Sequence, residues 1–111
     1  MLDCVAKVWY ENTEKSNLIG MIPSETYDVT EINGTPESVK EYFAIGKVFN
    51  LGYGHRDIKG KIHEDHLMKV TKVFVLKQNE QTEKFFSYLG EKYGWDWHEH
   101  FCEEEWQKFI S

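Results

Sequence analysis

The sequence predicts an α+β fold. It should hold a mixed or mostly antiparallel sheet of four or five strands, one central helix at about 36–46, and two C-terminal helices at about 80–93 and 97–110. Three observations carry this expectation. Residues 2–10 and 66–77 are apolar on the period of a strand. The mid-chain stretch "NGTPESVKEYFAIG" opens with a helix-start signature. The last third is apolar at helical spacing.

The elements follow in order. Leu2, Cys4, Ala6, Val8 and Tyr10 alternate with Asp3, Val5, Lys7 and Trp9, which reads as a half-buried strand. "ENTEKSN" is a polar turn, and "LIGMIP" is a short second strand closed by Pro23. "TYDVTEI", residues 26–32, is β-branched and aromatic, a third strand. Thr35 then caps a helix whose first residue is Pro36, where a missing N–H costs nothing. Val39, Tyr42 and Phe43 share its face, and Gly46 should stop it. "KVFNLGY" reads as a strand with Phe49, Leu51 and Tyr53 facing one way. "HLMKVTKVFVLK" is the clearest strand. Met68, Val70, Phe74 and Leu76 should share one face and Leu67, Thr71, Val73 and Val75 the other, as in a central strand.

In the C-terminal third, Asn79 caps a helix with the stripe Phe85, Phe86, Leu89 and Tyr93, ending at Gly94. Asp96 and Glu99 stand at capping-box spacing, with Trp95 at the staple position. Phe101, Cys102, Trp106, Phe109 and Ile110 continue at helical spacing. The simplest packing lays the helices over one face of the sheet.

The length, 111 residues, suits a single domain spanning 1–111 and one core. Aromatics at 15% and only two prolines argue against global disorder. No apolar run reaches the roughly 18 residues that span a bilayer. The start lacks the basic and apolar regions of a signal peptide. A cytoplasmic protein without a membrane partner is therefore expected, with Cys4 and Cys102 as reduced thiols.

Charge is unevenly placed. Residues 1–39 carry a net of −5, residues 40–77 a net of +4, and residues 78–111 again −5. Twelve lysines accompany one arginine, Arg56, the residue type that best reads phosphate and guanine. Nucleic acid is thus a disfavoured partner. Nucleic-acid mimicry is disfavoured too, since lysines intersperse the acids.

No motif identifies a reaction. "GYGHRDIKGKI", within the Gly-rich basic stretch 52–66, lacks the Ser or Thr and the helix that a phosphate-binding P-loop needs. It also has Asp57 where the dinucleotide fingerprint places its third glycine. It reads first as a connection between strands, its glycines serving turn geometry. As an anion or ligand site it would use Tyr53 for stacking and His55, Arg56, Lys59 and Lys61 for charge. For metal, "HEDH" spaces His63 and His66 one residue short of the zincin pattern. His98 and Cys102, four apart, would share a helical face. These four are weak candidates, and no cofactor is expected. Neither cysteine has a neighbour that would activate it as a nucleophile, so the reading leans away from an enzyme.

Nine of the seventeen aromatics lie between Phe85 and Phe109. Tyr88, Trp95 and Trp97 fit the stripes least well. Trp95, Trp97 and the run Glu103, Glu104 and Glu105 are therefore expected to form a patch for a larger protein target. Homodimerisation through the C-terminal helices would absorb the same aromatic surplus. The leading functional expectation is a small non-enzymatic interaction module. It would be an inhibitor or immunity protein of a phage or mobile element, occluding its target. The alternative is a phosphate-, nucleotide- or RNA-binding domain using the loop 52–66.

Overall fold

The computed structural model describes residues 2–13, 18–19, 25–50, 55–57, 62–63 and 67–111. Strands β1 (Cys4–Asn12), β3 (Glu25–Ile32), β4 (Val48–Asn50) and β7 (Leu67–Lys77) form an antiparallel sheet in the order β3-β1-β7-β4. A second sheet joins β2 (Leu18–Ile19), β5 (His55–Asp57) and β6 (Ile62–His63) in the order β2-β5-β6. The helices are α1 (Pro36–Tyr42), α2 (Glu80–Tyr93), α3 (Trp97–His100) and α4 (Glu103–Ile110), with a 3-10 turn at Gly94–Asp96. The fold class is α+β, as the sequence predicts. The rest of the expected strands "LIGMIP" and "KVFNLGY", 20–23 and 51–53, lies outside the described residues.

The chain divides into two compact units. One comprises Met1–Lys7, Val29–Tyr42 and Phe74–Ser111, the other Val8–Asp28 and Phe43–Val73. In the first, Cys4, Val5, Ala6 and Lys7 are all buried. Successive strand residues point to opposite sides, so both faces of β1 are covered there. This differs from the expected helices on one face. Cys4 Sγ donates to the Gly34 carbonyl just before α1, while the neighbouring parity, through Lys7, meets α3. The core is completed by Val39, Phe74, Val75, Leu76, Phe85, Leu89 and Phe101.

Helix starts follow the sequence closely. Thr35 Oγ1 accepts the Ser38 N–H at 3.0 Å, and Ser38 Oγ accepts the Thr35 N–H at 2.9 Å. That is a reciprocal cap with serine in the returning role. Asn79 Oδ1 accepts the Thr82 N–H at 3.0 Å at the start of α2.

α2 ends at Tyr93 with Gly94 next, as expected, but the end of α1 departs from expectation. α1 stops at Tyr42 rather than near Gly46. In the second unit, Gly46 N–H donates to the Val70 carbonyl and Val70 N–H to the Lys47 carbonyl, both at 2.8 Å. The Val70 carbonyl thus takes the Gly46 N–H that a longer helix would have bonded four residues back. Phe43 is buried there, 5.6 Å from the ring of Phe49, which itself meets Tyr10 edge-on.

β7 is also less regular than its sequence. Thr13 N–H donates to Leu67 O, and Gln78 N–H to Asp3 O. Those bonds bracket ten steps along β1 but eleven along β7, so β7 carries one extra residue, a bulge. Thr71 and Lys72, adjacent and both exposed, mark the interruption of its alternation.

Candidate interaction surface

The C-terminal helix expected at 97–110 is two helices. Phe101 (φ −78°, ψ 95°) and Cys102 (φ −159°, ψ 168°) are extended between α3 and α4. The physical reason is Phe101. It is fully buried, with its ring 5.1 Å from Phe74, 5.5 Å from Phe86 and 5.9 Å from Phe85. The buried ring, together with the bonds that the freed carbonyls find elsewhere, offsets the roughly four helical hydrogen bonds that a break gives up. The break frees carbonyls at the end of α3, and a buried cation takes them. Lys7 Nζ donates to the carbonyls of His98 and Glu99, the latter at 3.2 Å. A charge at a helix C-terminus suits the helix dipole. This role for Lys7 was not legible in the sequence, where it occupies one position of an alternating strand.

Two further expectations change here. Asp96 precedes α3 but makes no side-chain cap, so the capping box with Glu99 is not formed. His98 is in α3 and Cys102 is within the extended break that follows, so the two share no helical face. Instead the His98 ring stacks on Trp97 at 3.8 Å and the His100 ring on Tyr93 at 3.5 Å. Among the described residues, no group of three or more His, Cys, Asp or Glu is placed to hold a metal. His66 lies outside the described residues, and His63 is in β6.

The acidic run does not behave as one patch. Glu103 and Glu104 are exposed, and Glu103 accepts a hydrogen bond from Gln107 Nε2 at 2.9 Å. Glu105 is 6% exposed and turned inward. It accepts the Tyr93 hydroxyl at 2.7 Å and the Tyr88 hydroxyl at 3.3 Å, with Lys108 at 3.5 Å and Lys92 at 3.8 Å. The Tyr93 hydrogen bond, aided by the two lysines, holds its carboxyl below the ordinary glutamate range against the opposing effect of burial. The same hydrogen bond pushes the Tyr93 phenol up. Glu105 thus joins α2 to α4 and is not part of an exposed acidic surface.

The aromatic surplus is mostly consumed inside the first unit. Phe85 alone meets the rings of Tyr88, Phe101, Trp106 and Phe109. Trp97 packs edge-on against Phe86 at 5.5 Å. Trp95 is the exception, at 99% exposed. Its position follows from the residue before it. Gly94 ends α2 with φ 60° and ψ −127°, a combination open to glycine, and its N–H donates to the Gly90 carbonyl. Nothing lies within 4 Å of where a Gly94 side chain would begin, so backbone geometry, not space, asks for glycine. The flanking residues Tyr93 and Trp97 are docked, while Trp95 stands outward between them.

Of the loop candidates, Tyr53, Lys59 and Lys61 lie outside the described residues, while His55 and Arg56 are in β5. The backbone pairs His55 with His63 and Arg56 with Ile62 in an antiparallel hairpin. In the second unit, Trp9, Tyr10, Glu25, Thr26, Thr71 and Lys72 line a cavity of about 290 Å³. That falls just below the range of typical ligand pockets, and the Lys72 ammonium lies 4.9 Å from the Trp9 ring. No helix among the described residues is long and apolar enough to cross a membrane. No protein-family model, curated protein or solved structure matches the chain.

Proposed function

We propose that the protein is a non-enzymatic interaction module that binds a larger protein through the corner at Trp95. The carrying observation is one indole held almost wholly in water on a turn whose neighbours are fixed. Left exposed, a tryptophan forgoes about 4–6 kcal/mol of burial, from roughly 150–250 Å² at about 25 cal/mol per Å². A fixed backbone lets a partner recover that energy at small ordering cost. Tryptophan is also the residue type most enriched among interface hot spots.

Size, acidity and lysine bias make an inhibitor or immunity protein of a phage or mobile element the class that fits best. It would act in the cytoplasm, by occluding a surface of its target. The test is parallel affinity capture from host cells with wild-type and Trp95→Ala baits, quantified by mass spectrometry. The expected result is a partner held by wild type and lost from Trp95→Ala. Identical capture by both baits overturns the reading.

A further inference from the structure

We infer that the partner's receiving surface is an apolar seat rimmed by lysine or arginine. This rests on the reading of Trp95 as the anchor and adds the chemistry of its complement. From Phe85 to Gln107 the chain carries five exposed acids, the buried Glu105 aside, and a single cation, Lys92. That cation is already engaged. It donates to the Tyr88 hydroxyl at 3.2 Å, lies 5.5 and 5.3 Å from the Tyr88 and Tyr93 rings, and faces Glu105 at 3.8 Å. Asp96 adjoins the exposed indole, Glu99 follows one turn later, and both are exposed. Glu91, on the last turn of α2, is exposed as well. An approaching surface therefore meets an exposed indole with an exposed carboxylate next to it in the chain and others within a turn on either side.

Cationic side chains fit this corner in two ways. They pair with the carboxylates, and they can stack on the indole face, the best aromatic surface for a cation. The alternatives fit worse. A second copy meeting through the same corner about a two-fold axis would set these carboxylates against themselves. An anionic lipid surface would repel them.

The test keeps Trp95 and uses two variants of the full chain, one with a photo-crosslinking amino acid at the exposed position 98 and one with a charge-reversed pair, Asp96→Lys with Glu99→Lys. Crosslinks formed in host cells are mapped by mass spectrometry to residues of the captured protein. The expected result is one apolar seat bordered by Lys or Arg, with association slowed about 10-fold or more by charge reversal and by added salt. If the reversed pair fails to fold, Asp96→Asn with Glu99→Gln takes its place, with a smaller slowing in the same direction. A neutral or acidic seat, crosslinks to a second copy, or association indifferent to charge overturns this inference while leaving Trp95-dependent binding intact. Capture that ignores Trp95→Ala overturns the underlying reading instead. Sedimentation with zwitterionic and anionic vesicles completes the test. Cosedimentation with either, lost in Trp95→Ala, replaces the protein partner with a membrane.

Discussion

The Tyr93 hydroxyl donates to the Glu105 carboxylate at 2.7 Å, tying the end of α2 to the first turn of α4. The pair holds Glu105 below its ordinary value of about 4.3. A carboxyl with a depressed native pKa binds fewer protons folded than unfolded between the two values. Its contribution is complete above about pH 4.3 and is lost as pH falls through the depressed value. We expect Glu105→Gln to be less stable than wild type at pH 7 and to show a shallower loss on acidification. Urea melts from pH 7 to pH 2.5 check it. Parallel curves for the two proteins would refute the assignment.

Lys7→Met should separate the buried ammonium from its stem. Methionine keeps most of the apolar packing but leaves the His98 and Glu99 carbonyls without their donor. We expect a loss of about 1.5–3 kcal/mol, the range for hydrogen bonds to charged groups. Amide exchange should speed selectively around Trp97–Phe101.

Phe101→Ala should be among the most damaging changes at an aromatic, at about 3–5 kcal/mol, because its ring is fully buried against those of Phe74, Phe85, Phe86 and Trp97. Trp95→Ala should cost no more than about 0.5 kcal/mol, as for a surface substitution without partners. Thermal melts of the two variants side by side read both.

Gly94→Ala should act at a distance on the proposed surface. Alanine is strained by about 1–3 kcal/mol at this positive φ. Relief by backbone rotation would re-aim Trp95 without altering it. A lowered melting temperature together with weakened partner capture is the expected pair of results. Unchanged stability would show that the turn accommodates a side chain.

The starts of α1 and α2 are legible in the sequence because their causes are local. Asn79 needs only Thr82, three residues away, to cap α2. Helix interruptions were not legible, because their causes are distant. Phe101 leaves the helix to meet Phe74 and Phe85, and Lys7 finds the resulting carbonyls some ninety residues along the chain. Periodicity had placed Phe101 and Cys102 in a continuous stripe, a pattern that a short extended break hardly disturbs. The acidic run was misread for a related reason. Glu103, Glu104 and Glu105 look alike in sequence, but only Glu105 lies within reach of the Tyr88 and Tyr93 hydroxyls. Trp95 and Trp97 fit the apolar stripes equally badly in sequence, and the fold separates them into one exposed ring and one docked ring.

The isolation of Trp95 gives the chain a built-in optical gauge. Of its four tryptophans, Trp9, Trp97 and Trp106 are half-buried and only Trp95 is bathed in solvent. The red edge of the emission should therefore report this one residue. Relative to free tryptophan, that edge should be dimmed more by caesium and less by iodide, since nearby carboxylates gather cations and exclude anions. The red edge thus reports the charge around a single side chain, with no label added.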